Sequence, residues 1–137
     1  MNIPTVAEVM SSYVISFKAE WSAARAARKL LEKRFSGAPV VDDSDHVIGV
    51  LSEADCIRDL HNLLYNSTEG RTVGELMSTT IITIRPEADL LEACETLLSQ
   101  RIRRLPVVDA QGKLIGILTR GSVFRFLSTM AGEGQRV

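Results

Sequence analysis

Two short stretches carry the side chains best suited to chemistry. Ser52-Glu53-Ala54-Asp55 follows an apolar run and opens a helical pattern, so a hydroxyl and, three residues on, a carboxylate share one first turn. A helix N-terminus offers free amides and the positive end of a dipole to an anion. A carboxylate on the same turn accepts both hydrogens of a cis-diol, the way acidic residues hold a ribose. The same four residues also spell a capping box, in which Ser52 and Asp55 serve only the helix. Spacing alone leaves both readings open. The second stretch contains Arg103 and Arg104, candidates for a phosphate because a guanidinium meets phosphate oxygens as a bidentate fork. Arg120, where the last helix begins, is a third candidate, and all three also suit a solvated surface.

Other chemistries lack a place in the chain. His46 and His61 have no Cys or His at metal-ligand spacing, and Asp42, Asp43 and Asp45 lie in a turn too short for a calcium loop. No Ser-His-Asp or Cys-His arrangement, Gly-rich phosphate loop or carboxylate pair stands out, so neither catalytic residues nor a metal site are expected. Cys56 and Cys94 fall at apolar helical positions and read as reduced core residues. A net charge of -1 and an aromatic content of 5% provide no electrostatic reason to expect nucleic acid. No stretch approaches the roughly 18 apolar residues of a spanning helix. The N-terminus lacks the basic and apolar regions of a signal peptide, so a soluble, cytoplasmic protein without a membrane partner is expected.

The elements that must position these residues come in two copies, 67 residues apart. Val6 to Leu60 aligns without a gap on Val73 to Leu127, with 19 of the 55 paired positions identical. VAEVM answers VGELM, APVVDD answers LPVVDA, and HVIGVLSEAD answers KLIGILTRGS. Each copy reads α-β-α-β-β-α. Capping boxes at Thr5 to Glu8 and Thr72 to Glu75 start a short helix, and strands follow at 14–17 and 81–84. Apolar stripes of Ala23, Ala24, Ala27, Leu30 and Leu31, and of Leu90, Leu91, Cys94, Leu97 and Leu98, mark a longer helix, with Pro86 at the start of the second. Strands at 38–42 and 46–51, and at 105–109 and 113–118, flank the turns DDSD and DAQG and lead into final helices at 53–64 and 120–130. The expected division is a first repeat over 1–62, a polar linker over 63–71, a second repeat over 72–130 and a mobile tail over 131–137. A half of roughly 60 residues buries too little surface to be stable alone, so the copies are expected to form one pseudo-two-fold α/β (α+β) domain.

The succession of a VxxhM helix, a hxTh strand, a GhPVVD or RLPVVD strand and then hhGhhS/TxxD resembles the cystathionine β-synthase (CBS) domain, present as a tandem pair, or Bateman module. The phrase QRIRRLPVVD is also similar to the γ subunit of AMP-activated protein kinase. The resemblance implies two βαββα units packed sheet against sheet, with two clefts for adenosine-type ligands and a regulatory, non-enzymatic role. It implies that Asp55, with Ser52, holds a ribose, and that Arg103 and Arg104 reach the phosphate from the other repeat, with Thr119 and Arg120 beside them. For the adenine, an apolar slot lined by Val14, Ile15, Ala38 and Pro39 is expected. The second copy departs from the pattern, because Ser122 stands where the acid would be, and Ser36 and Gly37 stand where the arginines would be in the first. One hydroxyl does not replace a charged bidentate acceptor, so the two clefts are expected to bind unequally.

The function implied is a stand-alone regulatory module for an adenine nucleotide, AMP first, with ADP, ATP or S-adenosylmethionine as alternatives, acting on an unidentified partner protein. No catalytic cofactor is implied. The alternative is a ligand-free dimerisation or interaction module. A homodimer is expected in either case, because Arg25, Arg28, Lys29, Lys33 and Arg34 make one long helix basic while Glu87, Asp89, Glu92 and Glu95 make its counterpart acidic.

Overall fold

The computed structural model describes residues 2–67 and 69–134. Thr5 and Thr72 each begin a single helical turn, α1 (Val6–Val9) and, later, α4 (Val73–Leu76), through the expected capping boxes. In each, the Thr backbone N–H donates to the Glu three residues on, at 2.6 Å for Glu8 and 3.2 Å for Glu75. After α1 come β1 (Phe17–Lys18), α2 (Ala23–Lys33), β2 (Gly37–Val41), β3 (Val47–Ser52) and α3 (Glu53–Asn66). After α4 come α5 (Leu90–Ser99), β4 (Arg104–Val108), β5 (Leu114–Thr119) and α6 (Arg120–Gly134).

Several expected elements are corrected. The strand expected over 14–17 contracts to β1, and the one over 81–84 to a single parallel bridge of Ile84 with Val107, because only these residues reach the edge of the following hairpin. Pro86 lies in a turn four residues ahead of α5, whose N-cap is Asp89, accepting the Glu92 N–H at 2.8 Å. The apolar stripes are borne out in part: Ala23, Leu30, Leu90 and Leu97 are buried as expected, but the stripe continues through Ala26 and Ala93 and not through Leu31 and Leu98. Ala23, Ala26 and Leu30 are buried in α2, and Leu90, Ala93 and Leu97 in α5, whereas Leu31 and Leu98 are 79% and 72% exposed. The final helices run longer than expected, so residues 63–66 of the expected linker and 131–134 of the expected tail are helical, and 135–137 lie outside the described residues.

The chain forms two compact units that exchange the leading segments of the copies: one is Ile15–Ile81, the other joins the residues up to Val14 with the chain from Ile82 onward. In the first unit β2 lies between parallel β1 and antiparallel β3. Here α4 is held by Val73 N–H to Trp21 O and Gly74 N–H to Ala19 O, both 2.8 Å, and Ser78 bridges the free edge of β3 at Val50. Phe17, Ala26, Leu30, Val40, Leu51 and Val73 form the core of this unit. The second unit repeats each bond: Val6 N–H to Ala88 O at 2.8 Å, Ala7 N–H to Pro86 O at 3.0 Å, and Ser11 against Ile117 on the free edge of β5. Val6, Leu90, Leu97, Leu105, Val107 and Leu118 form its core.

One glycine in each hairpin makes room for this exchange. A Cβ on Gly49 would lie 2.5 Å from Met77 Sδ, and one on Gly116 would lie 2.5 Å from Met10 Sδ. The methionine of the VxxhM helix therefore covers the glycine of hhGhh. The hairpin turns are alike as well. Asp42 accepts the N–H groups of Ser44 and His46 at 2.9 and 3.0 Å, and Asp109 those of Gln111 and Lys113 at 2.9 and 3.0 Å. Asp45 and Gly112 then take positive φ, as do Arg34 and Arg101 just beyond α2 and α5. The acidic cluster of the first turn is thus a turn lock, and among the described residues no group of His, Cys, Asp or Glu suits a metal. No described helix is long and apolar enough to cross a membrane.

Gly116→Val should destabilise the protein by about 1–3 kcal/mol, as overpacking does. Met10→Ala should cost less in that background than in the wild type, because the two side chains compete for one space. Urea unfolding of the double-mutant cycle measures this, and strict additivity would refute the contact. A second expectation concerns acid. The His46 N–H holds Asp42, and the Lys113 N–H holds Asp109, below the usual carboxylate range, while the Thr72 N–H does the same for Glu75. Groups depressed on folding contribute stability above the unfolded carboxylate values of about 4, lost as pH falls through the lower folded values. Thermal melts should therefore drop below pH 4, and the Asp42→Asn/Asp109→Asn protein should show a shallower drop.

Candidate functional site

The register of β2 and β3 pairs Gly37 with Ser52, Ala38 with Leu51 and Pro39 with Val50, so the strand ends at the residue that caps α3. Glu53 N–H, the first amide of α3, is taken by Ser36 O at 2.8 Å. Ser52 and Asp55 form a reciprocal cap. Asp55 N–H donates to Ser52 Oγ at 3.2 Å, and Asp55 Oδ2 accepts the Ser52 N–H at 2.9 Å and its hydroxyl at 3.0 Å. Asp55 Oδ1 accepts from Arg58 Nη2, one turn along α3. The Asp55 side chain is only 12% exposed, whereas Arg58 is 68% exposed. The capping geometry expected from the spacing is therefore present, together with a cation on the solvent side of the acid.

Behind Asp55 the helix is unusual for carrying a second buried carboxylate, Asp59, whose Oδ1 accepts the Arg71 N–H at 3.3 Å and so ties the chain ahead of α4 to α3. Cys56 lies between them in the core. Burial pushes its thiol up, helped by the charges of Asp55 and Asp59, and burial does the same for Cys94, so neither is an activated nucleophile. Ile15, Ala38 and Pro39 are buried, and Ile15 and Ala38 belong to the same cluster as Cys56, while Val14 is half-buried at the end of the other unit's leading segment.

The second unit holds Arg103, Arg104, Thr119 and Arg120 together. Arg104 pairs with Thr119 in the strand register, and Arg120 N–H donates to Arg103 O at 2.9 Å. The side chains of Arg103 and Arg120 are exposed and that of Arg104 is half-buried. Here too the helix start is reciprocally capped. Ser122 N–H donates to Thr119 Oγ1 at 3.0 Å, and Thr119 N–H to Ser122 Oγ at 3.2 Å. A neutral hydroxyl thus performs the capping that Asp55 performs in the first unit. Arg58 and Asp59 were not singled out by sequence reasoning, although the Asp55 and Arg58 pair has the i, i+3 spacing of helical ion pairs. Nothing in the spacing marks Asp59, because its partner is a backbone amide 12 residues away.

Comparison with known proteins agrees with this architecture. The CBS domain profile matches residues 6–62 and 73–129. A curated relative, "CBS domain-containing protein CBSX2, chloroplastic" from Arabidopsis thaliana, is 36% identical over 126 residues, covering 73% of this chain and 52% of its own. This chain spans about half the length of such relatives. The crystal structure of CBSX2 in complex with AMP superposes with a TM-score of 0.80 at 36% identity, covering 93% of this chain and 98% of that one. The CBS domain pair of protein MJ0100, solved with 5-methylthioadenosine and S-adenosyl-L-methionine, shares the fold at a TM-score of 0.81 and 22% identity, covering 94% and 99%.

Proposed function

Since this chain belongs to the CBS domain family, with two domains in tandem, we propose that it is a regulatory module that binds an adenine nucleotide, AMP first, and signals to a partner protein. The observation that carries this is the charge on Asp55. Thr119 and Ser122 cap their helix with hydroxyls alone, so the helix start does not require a buried carboxylate. Burying a charge costs free energy unless something meets it; Ser52 and the exposed Arg58 do so here, and a diol would take over the position that Arg58 occupies. The relative crystallised with AMP supports the choice of ligand. In this reading Asp55 and Ser52 hold the ribose, Val14, Ile15, Ala38 and Pro39 line the slot for the base, and Arg103 and Arg104 contribute the phosphate contacts, with Thr119 and Arg120 alongside. ADP, ATP and S-adenosylmethionine are the competing ligands. A ligand-free interaction module is the second reading, favoured by the hydrogen bonds that already occupy both Asp55 oxygens.

Asp55→Ala should weaken AMP and adenosine alike by about tenfold to a hundredfold, the range for hydrogen bonds to a charged group. It should also cost about 1 kcal/mol of stability through the lost cap. Arg103→Ala or Arg104→Ala should penalise AMP far more than adenosine, and added salt should imitate them. Calorimetry with both ligands, beside an unfolding curve, tests this. Lost stability with unchanged affinity would leave Asp55 a helix cap and favour the ligand-free reading.

The module should also associate with a second copy. Leu31 and Leu98, equivalent in the two repeats, are largely exposed, as are Ile57 and Phe124 at 63% and 73%. Leu31 and Leu98 lie on the elements whose charges are complementary, basic on α2 and acidic around α5, while Ile57 and Phe124 lie on α3 and α6. Exposed ion pairs contribute little, so the leucines and Ile57 would carry the affinity. Sedimentation should show a dimer at micromolar concentration and a monomer for Leu31→Glu/Leu98→Glu; a monomeric wild type would refute it.

A further inference from the structure

The acid proposed to hold the ribose is already held. Oδ2 of Asp55 takes two hydrogen bonds from Ser52, and Oδ1 takes the guanidinium of Arg58. The Ser52 bonds belong to the start of α3. Arg58 is different, because it is an exposed side chain covering an acid that is otherwise sealed from solvent. A carboxylate has about four lone-pair positions; Ser52 takes two and Arg58 one, so a cis-diol, which needs two, must take the one Arg58 uses.

The repeat offers a comparison within the chain. The equivalent arginine, Arg125, also faces the start of its helix, where Ser122 stands in place of the acid. There its Nη1 lies 3.5 Å from where a Cβ on Gly121 would be. The arginine is thus present in both copies, and what differs is whether it has a carboxylate to close upon.

We propose that Arg58 is a latch on Asp55 and sets the specificity of the site: it must swing off the carboxylate before a ribose is gripped, so a ligand that offers two donors at once displaces it and one that offers a single hydroxyl does not. This rests on the reading of Asp55 as the ribose acid. A pair with so exposed a cation contributes no more than about fivefold to an equilibrium constant, which is weak enough for a ligand to displace and large enough to measure. The latch also predicts a salt effect of unusual sign. Adenosine is neutral, so its affinity would ordinarily ignore salt, but salt weakens the Asp55 and Arg58 pair and should therefore tighten adenosine binding.

Titration calorimetry of the full chain with adenosine, 2′-deoxyadenosine and AMP, for the wild type, Arg58→Gln and Arg58→Lys, tests this. Arg58→Gln should bind adenosine about two- to fivefold more tightly, with no further gain on adding salt, while 2′-deoxyadenosine changes little. Arg58→Lys, which keeps the charge and loses the planar fork, should fall between them. Unchanged or weaker adenosine binding by a folded Arg58→Gln overturns the latch, and so does a loss confined to AMP, which would make Arg58 a phosphate contact. If neither the wild type nor Arg58→Gln binds any of the three, the nucleotide reading fails together with the latch, an outcome distinct from a wild type that binds but gains nothing.

Discussion

The structure depends on backbone hydrogen bonds that tie the leading segment of each repeat to the hairpin of the other. Val6 to Ala88 and Ser11 to Ile117 close one unit, and Val73 to Trp21 and Ser78 to Val50 close its counterpart. The Ser11 and Ser78 bonds occupy a strand edge that would otherwise expose unpaired amides, and the Val6 and Val73 bonds hold those residues in the cores. Gly49 and Gly116 follow from the same constraint, since a side chain there would expel the methionine that lies over the hairpin. With the hairpin held, its register fixes where the strand ends and where α3 or α6 begins, and hence where Ser52 and Thr119 point their hydroxyls.

Within that common frame the chemistry has diverged. The caps of α3 and α6 are built alike, yet one uses a buried carboxylate and the other a hydroxyl. The strand positions facing them differ in the opposite sense, with Gly37 across from Ser52 and Arg104 across from Thr119. At equivalent places, then, one unit has Asp55 and Gly37 and the other has Ser122 and Arg104.

Most of this frame was legible in the sequence because the chain states it twice. A gapless repeat turns each ambiguous apolar run into two independent samples, and the capping boxes, the hairpins and the starts of α3 and α6 fell where expected, whereas α5 starts after Asp89 and not at Pro86. Other features were not legible. The leading helix carries the same residues whichever core it enters, so the exchange of Val6 and Val73 between units is decided by tertiary hydrogen bonds. The stripes of α2 and α5 were drawn too wide because each helix carries apolar residues beyond its buried face, and periodicity does not say where the core stops. Leu31 and Leu98 thus read as core although Ala26 and Ala93 fill that role. At the candidate site, Asp55 was found from its motif. Arg58 went unnoticed because a single i, i+3 pair is common on any helix and acquires meaning only once the acid is seen to be buried.

The exchanged connectivity also orders events in time. The unit Ile15–Ile81 is one unbroken piece of chain, whereas its companion is assembled from the residues up to Val14 and those from Ile82 onward. During synthesis α1 emerges first, yet its partners Pro86, Ala88 and Ile117 emerge late, so for most of translation its apolar residues have nothing to pack against. Every partner within the inner unit is present once Ile81 has been added, and the folding of that unit converts a long floating loop into a short, defined tether. Closing a flexible loop of this length costs entropy that grows with the logarithm of its span, and folding the middle of the chain first removes most of that cost before the two ends meet.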